Sequence, residues 1–247
     1  MSLFQLPPPT RYDLRFTIAG IPVRVHPLFW LVALLLGSTG DLLQIPIWVF
    51  VVFISVLIHE LGHALAFRSY GQDSQIVLHF AGGLTIPEPV SWGFGRANVS
   101  PTPMQQVVIS LAGPFAGFLF ATLVLAGVIV SGGTILTTKL FGLIPIPVTP
   151  ILPFGGRILA IFVVLLLWVN VFWGLVNLVP VFPLDGGQVA RNLLVKFDPW
   201  DGVRKSLWVS VIAGGLVALV SLLLLHSIFM AILFGLLAYQ SYRSLNL

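Results

Sequence analysis

The chain reads as an all-α polytopic membrane protein with about six transmembrane helices, on three observations. It is 57% hydrophobic and only 8% charged, with a mean hydropathy of +1.04, whereas soluble domains carry roughly 25% charged residues. Apolar runs near the length of a span, about 20 residues, recur along it. All of its 12 Lys and Arg except Lys139 and Arg157 fall on the side of the N-terminus once those runs are taken as spans. That bias places both termini in the cytoplasm.

The elements follow in order. "MSLFQLPPPTRYDLRF" lacks a basic region leading into an apolar core and a small-residue cleavage site, so no removable signal peptide is expected. Spans are predicted over Pro27–Leu42, Ile45–Phe67, Met104–Val130, Ile158–Val179, Leu207–Leu225 and Ser227–Ser241. Between the second and third, residues 70–103 are rich in Gly and Pro and alternate through "QIVLHF", which predicts a re-entrant element or β-hairpin at the membrane edge. Residues 131–156 read as a Pro-rich connection. One membrane-embedded domain over 1–247 is expected, with peripheral helices at about 27–42 and 207–241.

Composition also excludes. With no cysteine there are no disulfides, thiolate sites or Cys nucleophile, so a metal would need His, Asp or Glu. The basic residues are scattered through short loops and form no patch for nucleic acid.

Against this background "ISVLIHELGHALAF", Ile54–Phe67, stands out because ionisable groups inside a span are costly, about 2.5 to 3.5 kcal/mol for a charge on insertion scales. His59 and His63 lie at i and i+4, one helix face, and can direct two imidazole nitrogens at one ion. Neutral imidazole suits Zn²⁺, and three protein ligands leave a fourth position for water. Glu60, beside the first histidine, can reach such a water as a general base.

For a third ligand there are eight acidic residues. Besides Glu60, all but Asp185 lie in termini or polar loops. Asp185 follows the fourth span in "NLVPVFPLDGG", where Pro180 and Pro183 interrupt the helix and Gly186 and Gly187 are expected to let the chain turn tightly. By the predicted topology it shares a membrane side with the His59–His63 end of the second span. Taken alone, Asp185 would also serve as a helix N-cap. Asn177, in an apolar helix, is either a contact to a substrate peptide group or oxyanion, or a helix-to-helix hydrogen bond. Of the other histidines, only His79 in the hairpin is a candidate for touching substrate.

"HELGH" at 59–63, "GG" at 82–83, "AGP" at 112–114 and "NLVPVFPLDGG" at 177–187, in this order, resemble the site-2 protease family of intramembrane zinc metalloproteases. The resemblance implies one Zn²⁺ held by His59, His63 and Asp185, with Glu60 as catalytic acid/base, Asn177 on substrate or oxyanion, and a catalytic core over about 45–190. It further implies cleavage of a single-span membrane-protein substrate. Many members carry Asn where this chain has Gly117, so a polar contact is expected to be missing there and the packing to be tighter. Many also carry PDZ or CBS domains, for which the chain has no room, so regulation is expected from a separate adaptor protein, the membrane or prior trimming of substrate.

The strand-like Gln75, Ile76, Val77, Leu78, His79 and Phe80, with Gly82 and Gly83 beyond, are expected to pair with an unwound substrate strand. The expected setting is a prokaryotic plasma membrane with the active site opening to the cytoplasm. The competing readings are a metal carrier or a silent, zinc-binding relative; a carrier should string ligands along a path, which is not seen outside this cluster.

Overall fold

The computed structural model describes residues 7–37, 44–88, 100–140 and 144–245. They form two compact units, Met1–Asn98 with Phe115–Gly174 and Val99–Pro114 with Leu175–Leu247.

The first unit opens with a hairpin, β1 (Leu14–Ile18) and β2 (Ile21–Val25). Its two-residue turn puts Ala19 at φ 50° and Gly20 at φ 78°, the positive angles that match the right-handed twist of paired strands. Helix α1 (Pro27–Leu36) follows, then α2 (Gln44–Ser69), and then the antiparallel pair β3 (Ser74–His79) and β4 (Gly82–Pro87). β3 lies parallel to β2, giving one sheet in the order β1-β2-β3-β4. The register sets Val23 opposite Ile76 and Val25 opposite Leu78. These four, with Ile21 and Phe29, form a core with Leu57 and Ala64 of α2.

α2 is thereby held against one face of the sheet. Arg68 in its last turn donates to the carbonyl of Ala19 at 2.6 Å, and Trp48 Nε1 donates to the carbonyl of Ala33 in α1 at 3.0 Å.

Helix α3 (Pro103–Val130) is followed by a two-stranded ribbon of β5 (Thr134–Leu140) and β6 (Ile144–Ile151). Helix α4 (Gly156–Trp168) runs through a π-helical turn at Val169–Trp173 into the short α5 (Gly174–Asn177). Ala121 and Val128 pack on Val163 and Leu167, and Val51 packs on Leu166 and Val169.

In the second unit α6 (Asp185–Phe197), α7 (Gly202–Leu223) and α8 (Ile228–Ser244) follow. α7 and α8 approach closely: a Cβ on Gly214 would lie 3.0 Å from that of Ala238. Small residues at a helix contact allow such approach in an apolar solvent.

The all-α, six-span expectation holds in part: the protein is mostly helical, with small sheets beside its apolar helices. Four helices are long and apolar enough to cross a membrane among the described residues: Gln44–Ser69, Pro103–Val130, Gly156–Asn177 and Gly202–Leu223. The predicted Pro27–Leu42 span is a helix of 10 residues, about 15 Å at 1.5 Å per residue and half a bilayer core. Its last residues, like 89–99 of the re-entrant segment, lie outside the described residues. α8 has 17 residues. The hairpin after α2 is present, but it joins a four-stranded sheet, and the "connection" at 131–156 contains a ribbon. Prolines mask such strands in sequence; a two-stranded ribbon tolerates them because every strand is an edge.

Candidate metal centre

α2 carries the cluster. His59 Nε2 and His63 Nε2 stand 3.2 Å apart, with ring centroids 4.9 Å apart and planes at 78°. One ligating atom from each of His59, Glu60 and His63 lies within 4.8 Å of the others. Glu60 and His63 are buried and His59 partly so. Two nitrogens sharing a tetrahedral ion at about 2.0 to 2.1 Å would be separated by about 3.3 Å, so the imidazole pair fits one. Its position follows from packing: Leu57 and Ala64 face the sheet, and the cluster lies on the turns between them.

Strand β4 closes on the carboxylate. Gly83 and Thr85 sit opposite Leu78 and Ile76, on the face that packs against α2. Thr85 Oγ1 lies 2.7 Å from Glu60 Oε2 and 3.1 Å from the Glu60 carbonyl oxygen. A Cβ on Gly83 would fall onto Glu60 Cγ and Oε1, far inside contact distance. The sequence reading did not single out Thr85; its signal was the alternation "GGLTIP", which puts Gly83 and Thr85 on one strand face.

A second residue passed over is Asn170, in the π-helical turn. Its Nδ2 donates to Ser55 Oγ and to the carbonyl of Leu166, both at 2.8 Å. Ser55 is one helical turn before His59. A Cβ on Gly117 would lie 3.4 Å from Asn170 Oδ1. Asn170 Oδ1 thus packs at van der Waals distance against the Gly117 position, which offers it no polar group. A lone amide in "LLLWVNVFW" was the available signal.

The substrate-strand residues Gln75–Phe80 need revision. β3 is paired on both sides, so its backbone is already committed; among the described residues the sheet's edges are β1 and β4, the strand of Gly82 and Gly83. His79 is buried, its Nδ1 accepting from the Ala81 N–H at 3.3 Å. Burial, then electrostatic interaction with His26 and Arg24, push its pKa down.

Asp185 and Asn177 belong to the other unit. Asp185 is the first residue of α6 and follows the N-cap, Leu184, so it is not itself the cap; in the first turn its charge complements the helix dipole. Gly186 and Gly187 do not make a turn. They lie inside α6, where a Cβ would strike the backbone of Leu178 and Val179 or of Val181 and Phe182. Asn177 is buried at the end of α5.

Residues 47–219 match the family model described as peptidase family M50. The chain belongs to peptidase family M50. Similar to this M50 chain are a zinc metalloprotease of Methanocaldococcus jannaschii, 28% identical over 230 residues, covering 88% of this chain and 58% of that protein, and a putative zinc metalloprotease of Synechocystis, 31% identical over 193 residues, covering 72% and 43%. The M50 chain thus spans about half the length of the curated relatives it matches. The solved site-2 protease from Methanocaldococcus jannaschii shares its fold, with a TM-score of 0.55 at 22% identity over 96% of both chains.

Proposed function

We propose that the chain is a zinc-dependent endopeptidase that hydrolyses a peptide bond in or near the transmembrane segment of a single-span membrane protein. The observation that carries this reading is the pair of imidazole nitrogens 3.2 Å apart beside the Glu60 carboxylate, inside a helix apolar enough to span a membrane. Membership of peptidase family M50 and the relatives named zinc metalloproteases support it.

His59, His63 and Asp185 would hold the zinc, an assignment favoured by the scarcity of carboxylates outside loops and termini. When bound, zinc supplies Lewis acidity, polarising the scissile carbonyl and lowering the pKa of a ligated water toward about 7. Glu60 accepts the proton of the attacking water and returns it to the leaving amine. Asn177 offers a buried amide to the substrate backbone or the developing oxyanion. A helical substrate hides its carbonyls in its own hydrogen bonds, so it must extend; the outer edge of β4 is the strand suited to receive it. The basic-residue bias favours cytoplasmic termini and an active site opening to the cytoplasm, in a prokaryotic plasma membrane.

The test is zinc content and cleavage of a single-span substrate in proteoliposomes, for the wild type beside Glu60→Gln. Zinc retained in both with cleavage reduced about 10²- to 10⁴-fold in the variant supports the reading. Zinc bound by a wild type that cleaves no better than Glu60→Gln would replace it with a carrier or a silent relative.

A further inference from the structure

We infer that Thr85 is a positioning residue for Glu60, fixing which carboxylate oxygen is presented for proton transfer; this rests on the role proposed above for Glu60. The two oxygens are in different surroundings. Oε2 lies 2.7 Å from the Thr85 hydroxyl, while Oε1 lies where Gly83 leaves no room for a side chain. A hydroxyl has one proton, and between two acceptors the closer one takes it, here Oε2 at 2.7 Å over the Glu60 carbonyl oxygen at 3.1 Å.

Glutamate otherwise turns about three side-chain torsions, and a general base must be within hydrogen-bond reach of the proton it takes. With one lone pair of Oε2 taken up by the Thr85 hydroxyl, Oε1 is the oxygen more open to an incoming proton. Gly83 admits the carboxylate and Thr85 holds it. Both groups sit on one strand face, and that strand is an edge of the sheet. The base is thus oriented by β4 as well as by its own helix.

The experiment compares Thr85→Val, which loses the hydroxyl at nearly constant shape, with Thr85→Ser, which keeps it. The chain has two glutamates, Glu60 and Glu88, so ¹³C-glutamate labelling gives two carboxylate bands in the infrared, and Glu60→Gln identifies one. The Glu60 band is expected to shift in Thr85→Val and to return in Thr85→Ser, with zinc content equal in all. In the cleavage assay kcat falls about ten- to a hundredfold in Thr85→Val with KM unchanged, the size expected for a hydrogen bond to a charged group, and recovers in Thr85→Ser.

An unmoved band and unchanged kcat in Thr85→Val would overturn the inference, as would failure of Thr85→Ser to restore either. Should Thr85→Val lose zinc, Thr85→Ala repeats the comparison with a smaller side chain; zinc loss in both assigns Thr85 to packing and overturns it too. A wild type that cleaves nothing would sink the proposed activity, while the infrared comparison, which needs no substrate, still decides Thr85.

Discussion

The two compact units hold the residues proposed to act at the zinc by different means. In the first unit Glu60 is oriented by side chains and a strand: a hydroxyl bonds one oxygen and a glycine makes room for the other. In the second unit Asp185 is placed by backbone against backbone, because Gly186 and Gly187 bring α6 onto the 178–182 segment. A side chain can rotate away from an intruding methyl group, whereas a helix abutting a loop must move as a body. The first arrangement tunes a group, and the second fixes a fold.

That contrast is tested most sharply by adding one methyl to each region. Gly187→Ala should have the largest effect, since its Cβ meets Phe182 N and Val181 C and O, all main-chain atoms. Overpacking of this kind costs about 1 to 3 kcal/mol or more, so a fall in melting temperature together with reduced zinc content is expected. Gly83→Ala should act next, by displacing the Glu60 side chain: cleavage falls about 10²-fold, near the lower end for loss of a general base, while zinc content and melting temperature stay close to wild type. If Gly83→Ala unfolded the protein and Gly187→Ala did not, the distinction between the two regions would be reversed.

The same contrast governs what could be read from sequence. The H-E-x-x-H spacing put His59, Glu60 and His63 together because helix geometry is local, and their convergence needed only α2. The hairpin at 74–87 was legible from its alternation and glycines. What was not legible depends on partners distant in the chain. The parallel pairing of β2 with β3 joins residues 23–25 to 76–78, and it turned an expected free strand into an interior one. The bond from Asn170 to Ser55 spans 115 positions, and nothing in either local stretch announces that the two would meet. The first span was overestimated because apolar composition measures burial in lipid or protein alike, and α1 is a short helix with Phe29 in the sheet's core.

Asn170→Ala should act on stability alone, without the loss of zinc expected of Gly187→Ala or the fall in cleavage expected of Gly83→Ala. It removes an amide whose Nδ2 serves both Ser55 and Leu166, and leaves Ser55 buried without that partner. The loss is about 1 to 3 kcal/mol of stability, read as a lower melting temperature. Asn170→Asp would add a buried charge and should be worse; equal behaviour of the two would mean that the amide donates nothing there.

The smallest effect belongs to Asp13, ahead of β1 and away from the chemistry. Burial alone would raise its pKa, but hydrogen bonds from the Thr10 hydroxyl and N–H and the guanidinium of Arg24 at 3.1 Å outweigh that and hold it at about 2, against an ordinary 3.8. The folded state therefore binds this proton less readily than the unfolded chain does. Its stabilisation is complete above about pH 4 and is lost as the pH falls through about 2. Melting temperatures of the wild type and Asp13→Asn should differ most near neutral pH and converge on acidification across that window. A gap that stayed constant with pH would assign Asp13 to neutral hydrogen bonding alone, and would leave Arg24 to be held against the sheet by the carbonyl of Pro7, to which it also donates at 3.1 Å.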